Sequence, residues 1–211
     1  MDNYQHTITT WNQLSKHYQD AFMKLSLYDE SYNSFCDLVH KKNANILELA
    51  CGPGNITNYL LNQRPDFNIR ATDAAPNMIA LAKKNNPTAS CEVLDVRNIN
   101  SLQSNYDAIV CGFCAPYLAE SDFIKLINDC SSLLNKKGVI YISLIEGEYS
   151  KSKLESSSDG LHSMFVYYYS EEFITNTFKS KNFSIIKIFR IPYTNGKGEK
   201  STHLVFIAEK Q

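Results

Sequence analysis

Three acids stand at short apolar runs in the first half of the chain. They are Glu48 in Ile46-Leu47-Glu48-Leu49-Ala50-Cys51-Gly52-Pro53-Gly54, Asp73 after Ile69-Arg70-Ala71-Thr72, and Asp95 after Cys91-Glu92-Val93-Leu94. A carboxylate at a strand tip can accept hydrogen bonds from both hydroxyls of a ribose. Gly52 and Gly54 have no Cβ, so backbone N–H groups there can approach a ligand, and the helical spacing of Ile56-Thr57-Asn58-Tyr59-Leu60-Leu61 puts a helix start behind the turn. This pattern suits docking of a polar, nucleotide-like molecule.

The elements that must position these acids follow from periodicity. Trp11, Leu14, Tyr18, Phe22 and Leu25, then Tyr28, Tyr32, Phe35, Leu38 and Val39, predict two helices within 8–40. From 44 to 144, apolar strands at 46–50, 68–72, 90–94, 107–111 and 138–144 alternate with helices at 55–63, 76–85 and 119–134. That alternation predicts an α/β fold with a parallel sheet and helices on both faces. Residues 147–160, with three consecutive serines, read as a surface loop able to act as a lid; 162–169 is strand-like, and 171–178 is helical with Ser170 as its N-cap. Strands at 183–193 and 201–209, joined by Asn195-Gly196-Lys197-Gly198, predict a closing antiparallel hairpin. The expected organisation is one domain: an N-terminal helical cap over 1–42, a ligand-binding core over 43–145, a lid over 146–170 and a C-terminal helix and β-hairpin over 171–211.

Composition narrows the partners. With 21 basic and 22 acidic residues in 211, no global field favours nucleic acid or a membrane surface. The first ten residues lack the apolar core of a secretion signal, and no apolar run is long enough to span a bilayer, so a cytoplasmic location is expected. Six cysteines in a chain of this length need no disulfide framework. Cys111-Gly112-Phe113-Cys114 has the spacing of a redox pair or half a metal site, but zinc would need two further ligands with comparable spacing, so no metal is expected.

Taken in order, Glu48 to Gly54, Asp73, Asp95-Val96 and Tyr106-Asp107-Ala108-Ile109-Val110-Cys111 resemble the class I S-adenosylmethionine-dependent methyltransferases, over about residues 10–209. Ala50 stands where that family's first motif has its first glycine. The resemblance implies a Rossmann-like seven-stranded sheet, mostly parallel, with S-adenosylmethionine as cofactor. It assigns Glu48, Ala50, Cys51, Gly52 and Gly54 to the cofactor turn, and Asp73 with Ala74 to the ribose. Met78 falls near the adenosine, or in the core as an ordinary methionine, and Asp95 with Val96 falls at the adenine, or at a surface turn. Cys111 and Phe113 come at the end of the fourth strand, and Tyr18 reaches the methionine end from an N-terminal helix, or faces the core from that helix as an ordinary tyrosine. An NAD-binding Rossmann protein would want a third glycine where Thr57 stands and no acid at Glu48.

The same resemblance implies transfer of a methyl group to a small-molecule acceptor through an O, N or C nucleophile. Ala115-Pro116-Tyr117 lacks the Asn or Asp and the second proline of enzymes that methylate amines on nucleic-acid bases. In-line displacement at a sulfonium needs alignment, and a base only where a proton must leave. Tyr117 and His162 are the candidate catalytic residues: Tyr117 from the fourth-strand loop, and His162 from between the serine loop and Met164-Phe165-Val166-Tyr167-Tyr168-Tyr169. The alternatives are a catalytically silent S-adenosylmethionine-binding protein, or a methyltransferase acting on nucleic acid or protein. Oligomeric state has no signal in the sequence.

Overall fold

The computed structural model describes residues 3–156 and 162–211. Two helices, α1 (Asn3–Phe22) and α2 (Asp29–Leu38), precede an alternating series: β1 (Asn45–Leu49), α3 (Asn55–Gln63), β2 (Asn68–Asp73), α4 (Pro76–Asn85), β3 (Ser90–Val93), a 3-10 turn (Val96–Ser101), β4 (Tyr106–Cys111), α5 (Glu120–Leu133) and β5 (Leu134–Ile145). A small hairpin of β6 (Lys153–Ser156) and β7 (Ser163–Val166) follows, then α6 (Glu171–Ser180), β8 (Phe183–Thr194) and β9 (Lys200–Lys210). The main sheet has seven strands in the order β3-β2-β1-β4-β5-β9-β8. Its first five strands are parallel, and β9 and β8 are antiparallel additions. The order reverses between β1 and β4, which leaves a crevice at their carboxyl ends where ligands of open α/β sheets bind.

Alternation along the strands builds a core on each face. Leu47 and Leu49 of β1 face the layer holding Phe123, Ile127, Ile174 and Phe178. Ile46 faces the other layer, with Phe35, Ile56, Leu60 and Ile79. Glu48 shares the parity of Ile46, so strand geometry carries its side chain into that second layer, where it is fully buried.

Most element boundaries expected from the sequence agree with the structure, including the Ser170 cap, whose hydroxyl accepts the Phe173 N–H at 3.2 Å. The stretch read as a loop differs: Lys153–Ser156 pairs antiparallel with Ser163–Val166, so a hairpin occupies part of it, and 157–161 lie outside the described residues. The serines drew attention away from Lys153-Leu154-Glu155, whose alternation is short but strand-like. Among the described residues no helix is long and apolar enough to cross a membrane.

Candidate active site

Two cavities open at the crevice beyond β1 and β4. The first, of about 660 Å³, runs over the tip of β2 and is lined by Gly52, Asp73, Ala74, Met78 and Val96 below and by Tyr4, Thr7 and Ile8 of α1 above. The second, of about 850 Å³, lies toward β5 and β9 and is lined by Tyr28, Tyr32, Cys51, Ile145, Tyr193 and His203 among others. Trp11, Tyr18, Ala50, Gly112, Phe113 and Tyr117 line both, so the cavities meet at one junction.

The backbone at the junction is strained at two points. Ala50, just past β1, has φ +52°, and Phe113, just past β4, has φ +53°. Both are in the left-handed region that disfavours a Cβ. Ser143 on β5 holds the second bend, its hydroxyl accepting the Phe113 N–H at 2.9 Å. The φ of Ala50 explains why glycine is the family's usual residue there. Ala50→Gly is therefore expected to raise stability by about 1 kcal/mol, or about 2–4 °C in Tm for a chain of this length, in a thermal melt. An unchanged or lower Tm would show that the surrounding turn already accommodates the methyl group.

Asp73 is the most firmly positioned acid in the first cavity. One carboxylate oxygen accepts the Gly52 N–H at 2.9 Å and the other accepts the Ala75 N–H at 2.8 Å. Burial holds its carboxyl above the ordinary carboxylate value, against the opposing effect of those two N–H groups. Each oxygen keeps a lone pair for a further donor. Gly52 (φ +56°) lies beneath Tyr18, whose ring would stand 3.6 Å from a Cβ placed there. Gly54 (φ +81°) begins α3, and a Cβ on it would come within 2.2 Å of the Asn86 amide nitrogen.

Helix α1 roofs the first cavity through polar clips. The Asn77 N–H donates to Asn12 Oδ1 at 2.8 Å, Asn77 Nδ2 donates to the Asn12 carbonyl at 2.9 Å, and Asn85 Nδ2 donates to Gln19 Oε1 at 2.8 Å. Trp11 stands edge-on to both Tyr18 (5.2 Å) and Tyr117 (5.8 Å), which makes an aromatic wall at the junction. Burial raises the Tyr18 and Tyr117 hydroxyls above the usual tyrosine value, so both stay protonated at neutral pH.

Several residues singled out from the sequence thus converge: Tyr18, Ala50, Gly52, Asp73, Ala74, Met78, Val96, Phe113 and Tyr117 line the first cavity, and Cys51 lines the second. Others stand apart. Glu48 lies under the turn, taking the Thr57 hydroxyl on Oε2 at 2.6 Å, while its Oε1 finds no partner among the described residues. Burial pushes its carboxyl up to about 8. Gly54 shapes the helix start and lines neither cavity. Asp95 caps the 3-10 turn through the Arg97 N–H (2.8 Å) and pairs with the Arg97 guanidinium at 3.0 Å. That guanidinium lies over the Tyr4 ring at 4.1 Å. Cys111 is buried in β4, and hydrogen bonding with it, together with burial, raises the Cys114 thiol well above its ordinary value. His162 sits at the start of β7 and lines neither cavity. Among the described residues no group of three or more His, Cys, Asp or Glu side chains is placed to hold a metal ion.

Sequence reasoning missed His203. It is buried in the second cavity with Nδ1 2.6 Å from the Tyr28 hydroxyl, and its ring stacks on Tyr193 at 4.5 Å. Burial lowers its imidazole to about 4, so it is neutral at physiological pH.

Residues 46–138 match the family model described as a methyltransferase domain. The stretch matched contains the turn after β1, Asp73, Asp95 and the end of β4. Over that stretch the chain is similar to a methyltransferase domain. It is 31% identical over 142 residues to malonyl-[acyl-carrier protein] O-methyltransferase 1 of Ilyobacter polytropus, covering 65% of this chain and 47% of that one. It is 36% identical over 69 residues to trans-aconitate 2-methyltransferase of Mycobacterium ulcerans, covering 31% and 26%. The chain thus spans half or less of the length of these curated relatives. Among solved structures, the 1,6-didemethyltoxoflavin-N1-methyltransferase of Burkholderia thailandensis, with 1,6-didemethyltoxoflavin and S-adenosylhomocysteine bound, shares the fold at TM-score 0.75 and 16% identity, covering 98% of this chain and 88% of that one. The stretch similar to a methyltransferase domain is thus set in the expected seven-stranded sheet.

Proposed function

We propose that this chain binds S-adenosylmethionine in the first cavity and transfers its methyl group to a small molecule held in the second. The observation that carries this reading is the junction: two cavities, one over the strand-tip acid and one lined mainly by aromatic rings, share a wall at Ala50, Gly112 and Phe113. A donor and an acceptor must meet in line for displacement at a sulfonium carbon, and a shared wall permits that meeting.

In this reading Asp73 accepts the ribose hydroxyls, Ala74, Met78 and Val96 pack against the adenine, and the Gly52 turn brings backbone close to the carboxypropyl chain. Tyr18, Phe113 and Tyr117 put aromatic faces near the positive sulfonium. Bound S-adenosylmethionine supplies an activated methyl group and its own leaving group. The protein's work is alignment and exclusion of water, with the Tyr117 hydroxyl orienting the acceptor by a hydrogen bond. The β6–β7 hairpin and α1 serve as covers. Asp95, tied to Arg97, supports the adenine end through the turn that positions Val96, and Glu48 supports the glycine turn from below. His162, just before β7, lines neither cavity, so this reading gives it no part in the reaction.

Calorimetric titration with S-adenosylhomocysteine tests the donor half. One site per chain is expected. No heat, together with no thermal stabilisation by the same ligand, would sink the proposal.

A further inference from the structure

The second cavity has a chemical character narrower than "small molecule". Its described lining contains Trp11, Tyr18, Tyr28, Tyr32, Phe113 and Tyr193 but no Lys, Arg, Asp or Glu. Charged side chains stand in the openings that adjoin it: Lys153 and Lys197 interspersed with Glu155 and Glu199 beyond Tyr193, Lys24 and Asp29 beyond Tyr32, and Asp73 in the first cavity. A free carboxylate taken out of water needs a cation or several strong donors, classically an Arg fork. The named relatives are methyltransferases of trans-aconitate and of malonyl-[acyl-carrier protein]. Nothing in the described lining of this inner cavity is built for such an anion.

One polar group stands among the rings. His203 is clamped between Tyr193 (4.5 Å, 22°) and Tyr28 (6.1 Å, 10°), with Phe113 edge-on at 4.8 Å. Its Nδ1 lies 2.6 Å from the Tyr28 hydroxyl and its Nε2 3.3 Å from the Ser201 hydroxyl. A neutral imidazole has one lone pair and one N–H. Assigning the lone pair to the shorter contact makes Tyr28 the donor to Nδ1, leaves Nε2–H for Ser201, and frees the Tyr28 oxygen lone pairs toward the cavity. The titratable groups that meet the ring are Tyr28 from the α1–α2 connection and Tyr193 from β8. Glu146, just past β5, is occupied by Arg190 at 3.0 Å.

We infer that the acceptor is a neutral hydroxylated aromatic or heteroaromatic molecule, and that Tyr28 takes its proton while passing its own to His203. This rests on the donor reading above. In the step, the acceptor oxygen forms a bond to the methyl carbon, the carbon–sulfur bond breaks, and its electron pair returns to sulfur. The acceptor O–H proton goes to the Tyr28 oxygen, the Tyr28 proton goes to His203 Nδ1, and the imidazolium later releases it to water. The positive charge that leaves the sulfonium thus reappears on His203. Tyr28 is the catalytic residue here, and His203 acts through it.

The test uses the full chain saturated with S-adenosylhomocysteine for binding, or S-adenosylmethionine for turnover. The probes are a phenol series of graded acidity and 7-hydroxycoumarin, set against trans-aconitate and a malonyl thioester. The hydroxyarenes are expected to bind and be converted to methyl ethers, and the carboxylates are not. Tyr28→Phe and His203→Gln are each expected to lower kcat by roughly 100-fold near neutral pH, within the range for a lost proton acceptor, with KM and S-adenosylhomocysteine affinity little changed. The deficit should shrink as pH passes the acceptor's own pKa, because a phenolate has no proton to lose. A purely structural role would leave the deficit the same at every pH, and Tyr28→Phe keeps the ring packing if His203→Gln folds poorly. Preference for the carboxylates, a pH-independent deficit, or cofactor binding without hydroxyarene binding would overturn the inference while the donor reading stood. Failure to bind S-adenosylhomocysteine would instead remove the donor reading and this inference with it.

Discussion

Asp73→Ala is expected to weaken S-adenosylhomocysteine binding at least about 100-fold, as read by calorimetry. Two charge-assisted hydrogen bonds to ribose hydroxyls, each worth roughly 1.5–3 kcal/mol, account for that loss. The substitution also frees the Gly52 and Ala75 N–H groups that the carboxylate now accepts at 2.9 and 2.8 Å, so some loss of stability will accompany it. The two effects separate by thermal melting: wild type gains Tm with ligand, whereas the variant starts lower and gains little. Asp73→Asn sharpens the contrast, because an amide keeps the shape but offers one acceptor where two are used. Asp95→Ala provides the comparison at the next strand. Its carboxylate is already committed to Arg97 at 3.0 Å, so only a several-fold change in affinity is expected, through the loosened turn under Val96. Affinity of Asp73→Ala within a few-fold of wild type would mean that the strand-tip acid is a turn brace alone.

The contrast between these two aspartates shows where the sequence is informative. Asp73 was legible because its position at a strand tip, behind a glycine turn, depends only on backbone topology, which the alternation of strands and helices over 44–144 already fixes. Asp95 occupies the corresponding tip, but its neighbour two residues on is Arg97, and a local ion pair redirects the carboxylate into a cap. Glu48 illustrates strand parity: an acid two residues after Ile46 must point the same way as Ile46, into the layer of Ile56 and Leu60. The histidines were the harder case. His162 drew attention by its place beside the serine loop, whereas His203 was hidden at the start of Leu204-Val205-Phe206-Ile207-Ala208. The available signal was that unbroken apolar run, which reads as a strand buried on both faces, where a polar residue needs a partner. That partner, Tyr28, is 175 residues away in the chain, and no local pattern joins them.

Two buried titratable groups, Glu48 and His203, pull stability in opposite directions, and their balance gives an expected pH profile with a distinct shape. Glu48 is fully buried, and its carboxyl rises from 4.5 to about 8 on folding. Between those values the folded chain holds a proton that the unfolded chain has lost, so stability contributed by Glu48 falls as pH rises, by about 3 kcal/mol at pH 7 relative to pH 4.5. His203, buried among aromatic rings, falls from 6.5 to about 4 on folding. Between those values the unfolded chain holds the extra proton, so this contribution is complete above pH 6.5 and is lost as pH falls toward 4. From about pH 4.5 to 6.5 the two slopes oppose each other, and above 6.5 only the Glu48 slope remains. Denaturant unfolding of the wild type is thus expected to show near-constant stability from about pH 4.5 to 6.5 and a decline of about 1 kcal/mol per pH unit above that, flattening as pH reaches the folded value of about 8. Asp29 and Asp73, both raised by burial, tilt the lower plateau in the Glu48 sense. Glu48→Gln should abolish the decline above pH 6.5 and expose the His203 rise below it, whereas His203→Gln should extend the decline down to about pH 4.5. A wild-type profile that rises from pH 4.5 to 6.5 and is flat from there to pH 8 would mean that Glu48 is ionised in the folded chain, its Oε1 then satisfied by a bound water or donor.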